Sequence, residues 1–327
     1  MTDDTTTDGD APRVVVAGET LIDFLPDREG PLQSVESFSR RAGGAPANVA
    51  VALSHLAETP ACSTRVGDDP FGDCLVERLS EAGLDAEFVQ RDPDAKTSLA
   101  FVALGEEADR GFSFYRDRTA DTRMEPGAVP EATLDAAEWV HVGGVTLADE
   151  PSRAATFDLM RRGREAGATV SFDPNARPEL WDEFDFGDSV AEAFELADVV
   201  KATPEDLAEL DYGDDPESTA RAILADGPHT VFLTLGGEGS LVATTAESPW
   251  ASEETVVSHG GYEVDPVDTT GAGDAFTAGV VAALVEGESL SETLAFANAV
   301  AAVTTTAAGA MTALPDREAV RRFREES

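Results

Sequence analysis

Apolar runs of strand length alternate with stretches of helical periodicity along most of this chain, and that alternation restricts it to a layered α/β architecture. Residues 14–17, 63–66, 139–142, 169–172, 199–201, 230–235 and 240–244 read as strands. The intervening segments 46–57, 71–82, 153–165 and 189–196 carry apolar residues at helical spacing. Pro46 suits a first helical turn and Gly83 a helix stop. Thr203 is placed to cap a further helix beginning at Pro204, and the chain ends helix-rich from Gly273 to about residue 325. This βαβα order predicts a mainly parallel sheet with helices on both faces, a three-layer α/β/α arrangement.

One segment breaks the rhythm. Residues 97–104 and 111–116 flank a charged turn and read as a β-hairpin. Such a hairpin must pack outside the parallel sheet, and residues from about 22 to 40 can supply the remaining strands of a small second sheet. We read this sheet as a lid over the ligand site. No repeat of fixed period divides the chain. Residues 13–325 are therefore expected to form one domain, following an acidic, disordered tail at 1–12.

Charge narrows the choice of partners. The 64 acidic residues against 23 basic ones give a formal net charge of −41, and Lys96 and Lys201 are the only lysines. Self-repulsion of this size strains a compact fold in dilute buffer, whereas molar salt shortens the Debye length to about 3 Å and screens it. The composition reads as an adaptation to a cytoplasm of very high salt. It argues against nucleic acid or an anionic membrane as partner, since both require a basic surface. No run approaches the ~18 consecutive apolar residues of a membrane span, and the polar, acidic N-terminus is unlike a signal peptide, so a cytoplasmic protein is expected. Cys62, Cys74, His55, His141, His229 and His259 fall at no metal-ligand spacing, and the two thiols read as buried and structural.

The chemistry concentrates in residues 267–279, Val-Asp-Thr-Thr-Gly-Ala-Gly-Asp-Ala-Phe-Thr-Ala-Gly. Gly271 and Gly273 bracket a tight turn that opens a helix, so main-chain N–H groups can converge on a phosphate with the helix dipole behind them. Asp274 sits at the same helix start, where a carboxylate can take a proton from a hydroxyl that attacks phosphorus. A dinucleotide fingerprint would need glycine where Phe276 stands, and a Walker A loop would need a lysine that is absent. A structural turn with Asp274 as a mere cap is the alternative reading of these residues alone.

Residues 268–276 resemble the C-terminal signature of the PfkB/ribokinase carbohydrate kinases, and residues 43–48, Gly-Gly-Ala-Pro-Ala-Asn, resemble the N-terminal one. Gly-Asp-Asp-Pro-Phe-Gly at 67–72, Asp-Pro-Asn-Ala-Arg at 173–177, Lys-Ala-Thr-Pro-Glu at 201–205 and Thr-Leu-Gly-Gly-Glu-Gly at 234–239 follow in family order. The likeness covers nearly all of residues 13–320. It implies a ribokinase-like fold and an ATP-dependent sugar kinase, with Asp274 as base and the N–H groups of Gly271, Ala272 and Gly273 as an anion hole. It further implies that Lys201, Thr234, Gly236 and Gly239 contact the nucleotide, that Asn298, Ala301 and Ala302 border the adenine, and that Asn175 and Glu205 hold Mg²⁺ through water. Asp268 and Thr270 match a monovalent-cation site, for K⁺, in some relatives. Lid sheets of the family often pair between subunits, which implies a homodimer.

The acceptor sugar is read from shorter patterns. Gly-Glu-Thr-Leu-Ile-Asp-Phe at 18–24 resembles the opening of fructokinases, with Asp23 accepting from sugar hydroxyls, Gly43 and Gly44 as a close backbone edge and Asn48 as an amide contact. Phe-Tyr-Arg-Asp-Arg-Thr-Ala-Asp at 114–121 also resembles fructokinases, with Tyr115 and Arg116 reaching into the site from the hairpin. 2-Keto-3-deoxygluconate kinases share the Tyr-Arg and Asp-Pro-Asn-x-Arg patterns, and Arg116 and Arg177 would grip a carboxylate as a fork. Asp23 would oppose that like charge. The resemblance therefore implies fructose as substrate and the keto acid as the alternative. A nucleoside kinase is more distant, as is a catalytically silent sugar-binding regulator, which has no need of Asp274.

Overall fold

The computed structural model describes residues 11–28, 30–104, 110–208, 210, 212–213 and 215–327. Residues 1–10 of the expected tail and the hairpin turn at 105–109 lie outside them. The chain begins with β1 (Val14–Ala17), β2 (Leu21–Pro26), β3 (Phe38–Gly43), α1 (Ala45–His55), β4 (Ala61–Gly67), α2 (Pro70–Glu81) and β5 (Val89–Asp92). The hairpin strands β6 (Leu99–Leu104) and β7 (Arg110–Tyr115) follow, then α3 (Glu131–Ala136), β8 (Trp139–Gly143), α4 (Ser152–Ala166), β9 (Thr169–Asp173), α5 (Phe186–Leu196) and β10 (Val199–Ala202). The last part holds α6 (Pro216–Ala225), β11 (Thr230–Thr234), β12 (Ser240–Thr244), β13 (Thr255–His259), α7 (Ala272–Val285), α8 (Leu290–Thr305) and α9 (Arg317–Glu326).

The large sheet runs in the order β13-β12-β11-β10-β9-β8-β1-β4-β5. Its pairs are parallel from β5 through to β11, and β12 and β13 continue it antiparallel. Alternation along each strand sends side chains to opposite faces. Val14 and Val16 pack with α1, α7 and α8 on one side, while Val15 and Ala17 pack with α4, α5 and α6 on the other. Both faces are covered, which is why the strands read as unbroken apolar runs.

The polypeptide leaves β1 in one direction and β8 in the other, so the crevice between these strands is the switch point where ligands bind in open α/β sheets. Pro46 in the first turn of α1 sits over this crevice. It packs against Gly143, and a side chain at Gly18 would collide with it.

A second sheet of four strands, in the order β3-β2-β6-β7, stands apart from the first. Arg41, Asp23, Ala100 and Phe114 form one row across it. Its other face carries Phe24, Phe101 and Tyr115, whose rings contact one another, and Ile22, which packs with Leu75 of α2.

Three details differ from the sequence reading. No helix follows Thr203: residues 204–208 form turns, and the next helix is α6. Thr203 and Asp206 do bond reciprocally in the manner of a capping box, but the Asp206 carboxylate also accepts from the Ala176 N–H and is held to the neighbouring loop. Strands β5 and β13 extend the sheet at its two edges, where short, half-polar segments such as 89–92 carry little strand signal. Cys62 is buried, whereas Cys74 is half-buried. Among the described residues, no helix is long and apolar enough to cross a membrane.

Candidate active site

A cleft of about 510 Å³ opens at the carboxyl ends of β9 and β10, walled by the first turns of α1 and α7 and by the small sheet. Its base is the start of α7. Gly271 adopts φ +79°, where glycine is favoured, and a Cβ there would press to 2.9 Å from Ala310 Cβ. Gly273 and Asp274 occupy the first helical turn, where N–H groups have no helical acceptor. The Ala272 N–H donates to Thr269 O at 3.2 Å, so of the three expected anion-hole donors it is already engaged.

Asp274 is half-buried and accepts a hydrogen bond from Asn48 Nδ2 at 2.7 Å. Burial raises its pKa above the usual carboxylate range, and the Asn48 amide, Lys201 and Arg177 act against that rise. Lys201 pairs with Asp173 at 3.0 Å, and its Nζ lies 3.1 Å from where a Cβ on Gly273 would stand. Burial opposes the ammonium charge, but Asp173, Asp206 and Asp274 outweigh it and raise the lysine pKa. Burial pushes Asp173 up to about 6 despite Lys201. Beneath them His141 is held neutral, pushed down to about 3 by burial and by Lys201.

Several residues expected to meet the sugar collect at the small sheet. Asp23 faces the cleft with Leu21, Phe112 and Phe114. Burial pushes Asp23 up to about 7, with Arg177 opposing the shift and Asp274 adding to it. Any side chain at Gly43 would collide with its carboxylate, and Gly44, at φ +106°, leaves room for the Glu19 carbonyl. Arg177 lines the cleft and lies 5.3 Å from the centre of the Phe112 ring, joining the main body to the small sheet.

Two expected contacts are placed elsewhere. Tyr115 is 65% exposed and points away from the cleft, because alternation along β7 turns Phe112 and Phe114 inward instead. Arg116 is buried in ion pairs with Asp121 and Asp149, each at 2.6 Å, and does not line the cleft.

Asn175, at φ +43°, donates its N–H to Asp173 Oδ1, and Glu205 stands exposed on the cleft wall. The Asp268 carboxylate accepts from Thr270 N–H and Oγ1 on one oxygen and from Gly309 N–H on the other.

The expected nucleotide residues assemble beyond the cleft. Thr234 pairs with Ser240 across β11 and β12, and Ser240 Oγ accepts from Asn298 Nδ2 at 2.7 Å. Gly236 and Gly239 shape the turn between those strands with φ +59° and +91°. Ala301 and Ala302 follow Asn298 on α8 and are half-buried.

Glu19, Asp173, Asp206, Phe112 and Phe114 also line the cleft, where the sequence reading gave them no role. The Thr-x-x-Asp spacing at 203–206 was a usable signal for Asp206. The period-2 pattern of 112 and 114 marked a shared face without saying which way it looks.

A family model described as pfkB family carbohydrate kinase matches residues 11–317. The chain is 36% identical over 318 residues to a fructokinase of Vibrio alginolyticus, covering 95% of this chain and 98% of that one. Among solved structures it is similar to the ATP-bound fructokinase of Xylella fastidiosa, with a TM-score of 0.84 and 32% identity over 96% of this chain and 99% of that one. It is also similar to a fructokinase of Vibrio cholerae O395 in its fructose, ADP and calcium ion bound form. Here the TM-score is 0.82 at 35% identity, over 96% and 99% of the two chains.

Proposed function

The chain belongs to the pfkB family of carbohydrate kinases and is a sugar phosphotransferase, and we propose that it transfers the γ-phosphoryl group of Mg-ATP to a hydroxyl of a neutral ketohexose, fructose. The observation that carries this reading is the half-buried Asp274 carboxylate, held by Asn48 at the glycine turn that starts α7.

Asp274 accepts the proton of the sugar hydroxyl as that oxygen attacks the γ-phosphorus. Its raised pKa makes it a stronger base than an exposed carboxylate, and the Asn48 amide fixes the carboxylate on the side of α1. Charge on the moving phosphoryl group meets the N–H groups of Gly271 and Gly273 and the positive end of α7, with Ala272 contributing once its bond to Thr269 opens. Lys201 lies against the same turn. Thr234, Gly236 and Gly239 hold the nucleotide phosphates and ribose, and Asn298, Ala301 and Ala302 border the adenine.

Gly271 and Gly273 leave the open cradle that a phosphate requires, since a Cβ at either would fill it or meet a neighbour. Mg²⁺, when bound, neutralises charge on the phosphate oxygens. Among the described residues no group of three or more His, Cys, Asp or Glu is arranged to hold a metal directly. The oxygens of Asn175 and Glu205 suit a hard ion that keeps much of its water and arrives on the nucleotide. The small sheet serves as a lid, with Asp23 taking sugar hydroxyls and Phe112 and Phe114 covering the ring.

The fructose-bound relative and the half-buried carboxylate of Asp23 in the cleft both favour a neutral sugar. Arg177 in the cleft favours the second reading, a kinase of 2-keto-3-deoxygluconate. Coupled ADP release in molar KCl, with fructose and the keto acid as competing acceptors, separates them. A kcat/KM at least tenfold higher for fructose supports the first, and preference for the keto acid replaces it with the second.

A further inference from the structure

Of the two arginines that would fork a carboxylated substrate, Arg177 lines the cleft and Arg116 is locked behind it. Arg116 is 4% exposed, its Nε donates to Asp121 and its Nη1 donates to Asp149, so two of its three nitrogens are committed to carboxylates. The third nitrogen, Nη2, is buried without a hydrogen-bond partner. Glu19 acts electrostatically on the same guanidinium and, unlike Arg116, lines the cleft. It is 3% exposed. Its Oε1 accepts from the Ala45 N–H at 3.1 Å at the start of α1, and its Oε2 is buried without a partner. One guanidinium is thus surrounded by three carboxyls, and the cluster is left short by one acceptor and one donor.

The missing bond at Glu19, the member of the cluster that lines the cleft, describes the ligand group that completes it. A hydroxyl entering the cleft can donate to Glu19 Oε2. A carboxylate can only accept, would leave Glu19 Oε2 unsatisfied, and would bring like charge against it. We propose that Glu19, backed by Arg116, is the residue that selects an uncharged sugar over an acidic one. This rests on the sugar-kinase reading of the same cleft and adds to it a determinant separate from Asp23. Glu19 shields the cleft from the charge of Arg116, and the Asp121 and Asp149 pairs keep the guanidinium from swinging out to meet a carboxylate.

The test is the ratio of kcat/KM for fructose to kcat/KM for 2-keto-3-deoxygluconate, measured by ADP release for wild type and Glu19→Gln. The variant keeps an oxygen for the Ala45 N–H and removes the shielding charge. Its ratio should fall fivefold or more, with the KM for ATP within twofold of wild type. A smaller shift overturns the proposal, as does a parallel loss for both sugars, which is what a purely structural role would give. The ratio in wild type tests the fructose assignment independently, so that assignment can fail while the shift still decides the role of Glu19. Should Glu19→Gln not fold, Asp149→Asn replaces it: its side chain is 37% exposed, it releases Arg116 Nη1, and the ratio must fall in the same direction.

Discussion

Asn48 and Asp274 stand 226 residues apart in the chain, yet the amide Nδ2 of one donates to the carboxylate Oδ2 of the other at 2.7 Å. The bond ties the first turn of α1 to the first turn of α7 and opposes the rise in proton affinity that desolvation imposes on the carboxylate. Because the donor favours the charged form, its loss raises the Asp274 pKa further. In Asn48→Leu the acidic limb of the kcat–pH profile should therefore move to higher pH, with kcat at neutral pH lowered about tenfold or more. Asp274→Ala should lose at least about a hundredfold in kcat while retaining ADP binding. Near-normal turnover of that variant would remove Asp274 as the base.

Asp23 is held in the fold at a pKa of about 7, well above its usual value. A carboxyl whose folded pKa is raised adds stability that is full below the unfolded pKa, near 4, and is lost as pH rises through about 7. At pH 8 the wild type carries the cost of a partly desolvated charge that Asp23→Asn does not. The variant should be more stable than wild type at pH 8 by about 1–3 kcal/mol and nearly equal to it at pH 4, as urea unfolding at the two pH values would show. It should also bind sugar less well, so stability and function move in opposite directions.

Neighbouring residues on β7 should behave differently. Phe114→Ala removes a ring from the cleft wall and should raise the sugar KM about fivefold or more, whereas Tyr115→Ala, on the opposite face and 65% exposed, should leave it within twofold. Steady-state kinetics on the two variants decides this, and the reverse order would mean that the small sheet turns its other face to the sugar.

Salt should act on folding and catalysis together. With a formal charge of −41, self-repulsion and repulsion of the ATP anion are both strongest in dilute buffer. The proposed phosphate capture by N–H groups at α7 is short-range and would survive screening. Unfolding temperature and kcat/KM for ATP should both rise from 0.1 M towards molar KCl, and a maximum of either in dilute buffer would contradict the halophilic reading.

The sequence by itself determined the layered architecture and the glycine turn that opens α7. Strand-length apolar runs, helix stops at glycine and the Gly-Ala-Gly-Asp turn are written within short windows, because backbone conformation and side-chain alternation are local properties. Tertiary structure decided which groups are paired and which face the ligand. The sequence shows that Phe112 and Phe114 share one face of a strand and Tyr115 the other, but only packing against the main body chooses the inward face. It offers Glu205 and Asp206 as adjacent acids, and only the bonds from Thr203 and Ala176 bury the second and leave the first exposed. Arg116 reads as a free hand of the hairpin until Asp121 and Asp149 close on it. Hydrogen-bond and ion-pair partners are set by contacts between distant segments, and a buried charge takes whichever partner the fold brings within about 3 Å.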